Sequence, residues 1–183
     1  MAVVRLLVLG MVRLKGRTHG YAVHQELVAW HVETWTRVKP GSIYHALKQL
    51  TKEEKLNEVG REPSEEGPGR TLYELTEAGE AEFIQLLESA LGSFDLEELG
   101  TGVAFMECLP RRRVIEILKD QHRRAMTTRN GLEAMAPKFA HVRDAPHTSD
   151  LLSLWSGSLA ANASWTRSLI QRLESGAYRM SEG

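Results

Sequence analysis

The sequence predicts a mainly α-helical protein with one small β-hairpin, and three observations support that prediction. Apolar residues recur at helical spacing along most of the 183 residues. Segment 55–75 departs from that pattern, because it places two short strand candidates around a turn dense in Gly, Pro and Ser. The hydrophobic content of 42% is ordinary for a globular protein, so these elements can bury a core.

The first two helices are predicted at 3–12 and 21–32. The first is an apolar run, which indicates a buried helix. Thr18 is placed to cap the second helix, because its hydroxyl can accept a hydrogen bond from a free backbone N–H. The face of the second helix that is predicted to be buried consists of Val23, Leu27 and Trp30.

The stretch 39–50 predicts a third helix, called here the reader helix. Pro40 suits its first position, because the missing N–H of proline has no partner there anyway. Its apolar face consists of Ile43, Leu47 and Leu50. Its opposite face carries hydrogen-bonding or cationic side chains, namely Ser42, His45, Lys48, Gln49 and Lys52. An apolar back with a polar, basic front fits a DNA major groove, although an ordinary amphipathic surface helix has the same pattern.

A wing is predicted directly after the reader helix. One strand candidate lies on either side of the turn 63–69, within segment 55–75. Arg70 lies at the end of that turn, where a wing residue could enter a minor groove. The alternative is that Arg70 pairs with Glu65 or Glu66 of the turn.

Four more helices are predicted in the rest of the chain. They run from about 77 to 91, 95 to 109, 110 to 135 and 150 to 175. Thr76 is placed to cap the first of them, Pro137 to end the third and Gly176 to stop the last. Segment 141–149 is predicted to be a loop and 180–183 a frayed tail.

The last two long helices carry seams whose spacing alternates between three and four, as in packed helices. The seam of the 110–135 helix is Val114, Leu118, Gln121, Ala125, Thr128 and Leu132. The seam of the last helix is Leu152, Trp155, Leu159, Asn162, Thr166, Leu169 and Leu173. A second stripe on the last helix is Leu151, Leu154, Ala161 and Trp165. Because one neighbouring helix cannot cover both stripes, the sequence predicts a homodimer, in which Asn162 fixes the pairing register.

The distribution of charge and the cysteine content indicate which binding partners and which cellular compartment suit the protein. Residues 1–76 carry 11 Lys/Arg against 9 Asp/Glu, and residues 77–183 carry 12 against 15. The small excess of positive charge in residues 1–76 is weak for a DNA-binding domain. Affinity for DNA would therefore depend on a few well-placed cationic side chains and on the two binding surfaces that a dimer provides. The single cysteine, Cys108, excludes an internal disulfide and suits the cytoplasm, with a core role or a redox role both open. The apolar run 6–12 is too short to cross a bilayer.

No enzyme or metal motif stands out. The chain lacks a Gly-x-Ser-x-Gly elbow, a phosphate loop, a dinucleotide fingerprint and a His-Glu-x-x-His pair. We therefore predict no catalytic activity, no metal and no cofactor. The four tryptophans are Trp30, Trp35, Trp155 and Trp165. They could line a pocket in which a planar ligand stacks on their rings, or they could pack in the core and in the dimer interface.

Three motifs in order, HGYAV at 19–23, KPGSIYHALKQL at 39–50 and TLYELTEAGEAEF at 71–83, resemble the PadR family of bacterial transcriptional regulators. The resemblance is close over the first half of the chain and looser beyond it. It implies a winged helix-turn-helix DNA-binding domain at 1–76 and a helical dimerisation domain at 77–183 that could also sense a ligand. It further implies a dimeric repressor that binds double-stranded DNA at an inverted repeat and is released by a small hydrophobic or aromatic effector.

The resemblance and the polar face of the reader helix together predict nine DNA contacts. They are Tyr21, Lys39, Ser42, Tyr44, His45, Lys48, Gln49, Lys52 and Arg70. The family often has proline where His45 stands, so His45 could act as a specific base reader, and Glu65 and Glu66 depart from the more basic wings of the family. Two other functions stay open: a regulator without a ligand, controlled by abundance or a protein partner, and a helical adaptor that does not bind DNA.

Overall fold

The structure is a computed structural model that describes residues 2–64, 67–139 and 147–182, and these are mainly helical. The helices are α1 (Ala2–Lys15), α2 (Gly20–Ala29), α3 (Val32–Trp35), α4 (Pro40–Lys52), α5 (Glu77–Leu91), α6 (Leu96–Ala104), α7 (Arg111–Phe139) and α8 (Thr148–Glu174). A 3₁₀ turn, Met106–Cys108, separates α6 from α7, and the strands are β1 (Thr18–His19), β2 (Leu56–Ser64) and β3 (Gly67–Leu75). The predicted fold class, mainly α with a β-wing, is confirmed.

The chain forms two compact units. The first unit contains Met1–Ala90 and Leu96–Phe105, and the second contains Leu91–Asp95 and Met106–Gly183. This grouping differs from the predicted division after residue 76, because most of α5 and all of α6 belong to the first unit. The rings of Phe83 on α5 and Phe105 meet edge to face at 5.8 Å, which holds these segments in the first core. Whether 1–76 folds as a domain of its own stays a prediction.

Helix α1 is the centre of the first unit. Every residue from Leu6 to Val12 is buried, as its apolar run predicted. Arg5 lies beside this core and pairs with Glu53, the C-cap residue that follows α4, and with Glu82 of α5, each at 2.6 Å. These two pairs therefore fix α1 to the reader helix and to α5 in addition to the apolar contacts.

The sheet is antiparallel with strand order β1-β3-β2. The wing strands are longer than predicted, because β2 continues to Ser64 and β3 begins at Gly67, inside the predicted turn 63–69. Pro63 is tolerated in β2 because the strand register shifts between Glu62 and Ser64. The regular series of inter-strand hydrogen bonds is already interrupted there, so the missing N–H of proline removes none of them. Residues 65 and 66, and with them the alternative partners of Arg70, lie outside the described residues.

Two predicted caps have different outcomes. Thr18 does not cap α2, because it lies in β1 and pairs with Tyr73 of β3, so its backbone is already committed to the sheet. The cap is His19 instead, whose Nδ1 accepts the N–H of Ala22 at 3.0 Å. The prediction for α5 is confirmed, since Oγ1 of Thr76 accepts a backbone N–H at 2.9 Å.

The second unit is dominated by an antiparallel pair, α7 and α8. The first four seam residues of α7 are buried, Thr128 is exposed and Leu132 is half-buried. The predicted end of α7 at Pro137 is wrong, because the helix continues to Phe139. Proline so near a helix end removes only one hydrogen bond of the last turn. Most of the predicted loop 141–149 lies outside the described residues, and α8 begins within it, at Thr148.

The end of α8 is closed by two backbone hydrogen bonds. Gly176 has φ +88°, and its N–H reaches the carbonyl of Leu173 while that of Ala177 reaches Arg172. This is a Schellman arrangement, and it confirms the predicted stop at Gly176. The predicted frayed tail is wrong at Ser181, whose N–H donates to a backbone carbonyl at 2.9 Å.

Arg111, at the start of α7, forms hydrogen bonds with the segment at the end of α8 and just after it. Its guanidinium donates to the carbonyls of Leu173, Ala177 and Tyr178, each at 2.7 Å. A guanidinium is well suited to this, because it presents several donors in a fixed plane. The C-terminal segment is therefore attached to the base of α7.

Candidate nucleic-acid interface

The reader helix, α4, buries one face and exposes the other. The buried side chains are Ile43, Ala46, Leu47 and Leu50, which pack within the first unit. The exposed side chains include Tyr44, His45, Lys48 and Lys52. The polar, basic face that the sequence predicted is therefore free to meet a partner, while its contact with DNA stays a prediction.

The first turn of α4 is held by Ser42. Its Oγ donates to the carbonyl of Lys39 at 2.6 Å and accepts the N–H of the same residue at 3.3 Å. The hydroxyl proton of Ser42 is therefore already donated to a backbone carbonyl. Ser42 could donate to a phosphate only by sharing this proton between two acceptors. Lys39 is exposed at this end of the helix, where its ammonium is available.

Gly20 lets α2 approach the reader helix closely. A Cβ at this position would lie 2.9 Å from Cδ1 of Leu47 and 3.1 Å from Cε1 of Tyr44. Neither neighbour leaves space for a side chain, because both belong to the packed junction of the two helices. The His-Gly-Tyr motif thus has a physical basis, in which His19 caps α2, Gly20 permits the contact and Tyr21 is exposed beside it.

Four of the nine predicted DNA contacts line one cleft of about 230 Å³ between the reader helix and the wing. They are Tyr21, Tyr44, Lys48 and Arg70. His19 and Tyr73 also line the cleft, and the sequence had not indicated either as part of it. Two cations and several phenol rings in one concave surface suit a phosphate group and the sugar beside it.

Arg70 lies against Tyr21 at the rim of this cleft. Its guanidinium carbon is 5.0 Å from the centre of the Tyr21 ring, which is cation–π distance. His19 is close to both the arginine and Glu62, with its Nε2 3.7 Å from Oε2 of Glu62. Because Nδ1 of His19 accepts a backbone N–H, the neutral ring carries its proton on Nε2, the nitrogen that also lies 3.5 Å from a guanidinium nitrogen of Arg70.

The hydroxyl group of Tyr73, which lines the cleft, stays protonated. Burial, and after it the nearby charge of Glu58, raises the pKa of the Tyr73 hydroxyl. The phenol is therefore a neutral donor at physiological pH, able to give a hydrogen bond to an oxygen of a bound anion.

Gln49 and Lys52 lie nearer the end of the helix. Nε2 of Gln49 donates to Oε1 of Glu53 at 2.7 Å, so its amide is held along the helix. Hydrogen bonds from Arg5 and then from Gln49 lower the pKa of Glu53, which stays ionised as their acceptor. Lys52 is exposed in the last turn. The predicted contacts of Gln49 and Lys52 with DNA stay predictions.

The four tryptophans belong to different units. Trp30 packs on Phe105 at 5.4 Å, and Nε1 of Trp35 donates to the carbonyl of Trp30, all within the first unit. Trp155 and Trp165 belong to α8, with 52% and 42% of their surface exposed. A ligand pocket shared by all four stays a prediction.

The predicted dimer seam of α8 is largely used within the chain. Its members Leu152, Thr166, Leu169 and Leu173 are buried in the second unit, while Leu159 and Asn162 are half-buried. The second stripe is exposed, at Leu151, Leu154, Ala161 and Trp165. The exposed apolar face of α8 is therefore this second stripe together with Trp155.

Neither a metal cluster nor a membrane span is found in 2–64, 67–139 and 147–182. No three His, Cys, Asp or Glu residues in these ranges are grouped as a metal site would require. None of the helices there is both long and apolar enough to cross a membrane.

Residues 8–85 match the model of the Transcriptional regulator PadR-like family. Among solved structures, Bacillus subtilis PadR in complex with operator DNA is 19% identical over 93% of this chain and 99% of that chain, with a TM-score of 0.42. The same regulator in complex with p-coumaric acid is 20% identical over 94% and 99%, at 0.39. The PadR-like transcriptional regulator BC1756 from Bacillus cereus is 18% identical over 94% and 99%, at 0.38.

No curated protein matches the chain. The family match covers the reader helix, the wing and every residue of the cleft. The chain is therefore similar to the PadR-like family of transcriptional regulators over residues 8–85.

Proposed function

We propose that this protein is a homodimeric repressor that binds double-stranded DNA sequence-specifically and is released by a small hydrophobic or aromatic effector. The observation that supports DNA binding best is the cleft, where Tyr21, Tyr44, Lys48 and Arg70 converge beside the exposed face of α4. In the complex, α4 enters the major groove and the wing follows the adjacent backbone. Lys48 and Lys52 neutralise phosphates, while His45 and Tyr44 face base edges or sugars.

Dimerisation rests on the exposed apolar stripe of α8. Leu154 is 62% exposed in the single chain, and Leu151, Trp155 and Trp165 lie near it on the helix. Burial of apolar surface contributes roughly 25 cal/mol per Å², so a second copy of the same helix would stabilise this face. Two-fold symmetry then presents two copies of α4 to successive major grooves, and the operator is an inverted repeat.

The proposed effector is planar and largely apolar. The four tryptophans supply rings on which such a molecule can stack, two in each unit of the chain. A ligand that binds the DNA-free protein more tightly than the DNA-bound protein lowers the affinity for DNA by the ratio of its two affinities.

The experiment is selection from a random pool of DNA duplexes, followed by binding at several salt concentrations. An enriched inverted repeat whose affinity falls steeply with salt supports the proposed function, because released counterions accompany each phosphate contact. If no duplex is enriched even at low salt, the chain is an adaptor and not a DNA-binding regulator.

A further inference from the structure

The rim of the cleft, where α2 meets the wing, holds an imidazole, a guanidinium and a carboxylate. Nε2 of His19 lies 3.7 Å from Oε2 of Glu62 and 3.5 Å from a guanidinium nitrogen of Arg70. Glu62 and Arg70 are directly opposite each other in the antiparallel register of β2 and β3. Each of the three strands therefore contributes one side chain to this group, which is called here the rim cluster.

The imidazole of His19 offers a donor, and not an acceptor, to the rim cluster. Its Nδ1 accepts the N–H of Ala22 at 3.0 Å, so the proton of the neutral ring is on Nε2. The guanidinium of Arg70 cannot accept a hydrogen bond either, because all of its nitrogens are donors. Two donors therefore lie 3.5 Å apart without a hydrogen bond between them, and an anion is the ligand that can accept from both.

The ring of Tyr21 supports both donors. Its centre lies 6.2 Å from that of the His19 ring, in a stacked arrangement, and 5.0 Å from the guanidinium carbon of Arg70. Stacking on an aromatic ring occupies the face of a guanidinium and leaves the N–H groups at its edge available to donate. Tyr21 therefore holds the two donors in place before an anion binds, which reduces the side-chain freedom that binding would remove.

Glu62 supplies an anion to the rim cluster from within the chain. Its side chain is 55% exposed and lies on β2, an edge strand of the sheet, next to the register shift that precedes Ser64. A side chain in this position can turn into water without disturbing the core. Its distance of 3.7 Å from Nε2 of His19 is within ion-pair range but longer than a hydrogen bond, so the carboxylate is held only weakly.

We propose that His19 and Arg70 form a binding position for one phosphate of the DNA backbone, and that the Glu62 carboxylate competes with the phosphate for it. A phosphate accepts hydrogen bonds from both donors at once, and Glu62 then turns into water because two anions in contact repel each other. Glu62 thereby lowers the affinity of the protein for DNA. The identity of the anion as a DNA phosphate rests on the proposed function, whereas the anion site itself does not.

The first test removes the competing carboxylate from the full chain. Glu62→Gln keeps the size of the side chain and should raise the affinity for the selected duplex by about twofold to fivefold at low salt, the value of one exposed ion pair. The dependence of affinity on salt should also steepen, because Arg70 is then free to replace one more counterion. Glu58→Gln is the matched control, since it removes the same charge from the same strand, opposite Tyr73, and it should change affinity much less.

A double-mutant cycle tests whether Glu62 acts through Arg70. In the Arg70→Gln background, Glu62→Gln should raise affinity no more than Glu58→Gln does. His19→Asn separates capping of α2 from anion binding, since asparagine is also a favourable helix cap but does not reach the position of Nε2. Its affinity for the duplex should fall by about threefold to tenfold, as for one net hydrogen bond. Far-ultraviolet circular dichroism of each variant verifies folding before binding is measured.

Sulfate tests the anion site without DNA. Titration of Glu62→Gln with sodium sulfate should give saturable shifts of the His19 ring nitrogen signals in NMR, and sodium chloride at equal ionic strength is the control. The wild type should bind sulfate more weakly than Glu62→Gln, because its own carboxylate competes. Addition of Arg70→Gln to Glu62→Gln should abolish sulfate binding.

Several outcomes would overturn the proposal. Equal duplex affinities of Glu62→Gln and Glu58→Gln would remove the competition, and a gain that persists in full without Arg70 would mean that Glu62 repels DNA directly. Absence of saturable sulfate binding to folded Glu62→Gln would remove the anion site. If sulfate binds as expected but no duplex is ever enriched, the anion site stands and the proposed function fails. If a duplex is enriched and Glu62→Gln leaves its affinity unchanged, the proposed function stands and the competition fails.

Discussion

The two units of this protein differ in what they bury. The first unit has a mainly apolar interior built on α1 and on the rings of Phe83 and Phe105, and the hydroxyl of its fully buried Thr101 donates to the carbonyl of Glu97. The second unit buries Gln121 and Thr166 completely, while Leu154 and Trp155 of α8 stand more than half exposed. The first pattern is that of a self-contained domain, and the exposed apolar stripe of the second is the feature on which the proposed dimer rests.

The polar layer of the second unit strengthens this contrast. Nε2 of Gln121 donates to Oδ1 of Asn162 at 2.6 Å and to the carbonyl of Ser93 at 3.1 Å. Oε1 of Gln121 and Oγ1 of Thr166 have no partner among the described residues. Buried polar layers of this kind fix the register of packed helices at a cost in stability. The second unit therefore holds α7 and α8 in a defined register at some cost in stability.

The largest expected effect is the loss of the proposed dimer in Leu154→Glu. A carboxylate in the exposed stripe of α8 would be desolvated against apolar surface in the dimer, whereas the single chain leaves this position in water. Sedimentation should detect monomers, and affinity for an inverted repeat should fall by about a hundredfold as two linked contacts become one. Ser153→Glu, at the exposed neighbour, is the control. An intact dimer in Leu154→Glu would place the interface elsewhere.

The next effect is on the first unit, in Gly20→Ala. The added methyl group collides with Leu47 and Tyr44, so urea unfolding should report a loss of about 2 kcal/mol. Gly41→Ala is the matched control, because nothing lies within 4 Å of its Cβ and a helical Ala is more stable by about 0.5 kcal/mol. Equal stability of the two variants would mean that the contact of α2 with α4 is loose.

A smaller effect is expected from Lys48→Ala, which lies on the exposed face of α4. All duplexes should be weakened about equally, and the salt slope of binding should fall by about one, because one phosphate contact is lost. Fluorescence anisotropy at four or five salt concentrations measures both. A change in sequence preference with an unchanged slope would make Lys48 a base contact.

The smallest effect is a pH dependence at Glu53. Because the pKa of Glu53 is lower in the folded chain than in the unfolded one, its ionised form stabilises the fold above the ordinary glutamate pKa, and this contribution is lost as pH falls through the lowered pKa of the folded chain. The stability difference between wild type and Glu53→Gln should therefore shrink as pH falls through that window. A difference that stays constant from pH 6 to pH 3 would contradict the Arg5 pairing.

Periodicity predicted the longer amphipathic helices, since α2, α4, α5, α7 and α8 each bury one stripe. It missed the four-residue α3, and the helix predicted at 95–109 ends at Ala104 and is followed by a 3₁₀ turn. It also predicted the two faces of the reader helix, because Pro40 fixes where that helix begins. It could not reveal β1, because two residues carry no period and depend on β3, which is distant in sequence. His19 was missed as the cap because Thr18 has the stronger intrinsic preference, which the sheet overrides.

The cleft was only partly predictable. Tyr44 and Lys48 could be placed because they share one helix face, whereas Tyr73 enters from the wing through strand register alone. The seam of α8 was read from spacing that cannot distinguish a neighbour in the same chain from one in another copy. Burial of Leu169 and Leu173 assigns that part of the seam to the chain itself.

The attachment of the C-terminal segment to Arg111 has a consequence for the order of events during synthesis. The first unit is complete in sequence at Phe105, whereas Arg111 donates to carbonyls of residues 173–178, which are translated some sixty residues after it. Domains fold in the order in which they leave the ribosome. The first unit should therefore mature on the nascent chain before the attachment of the C-terminal segment to Arg111 can form.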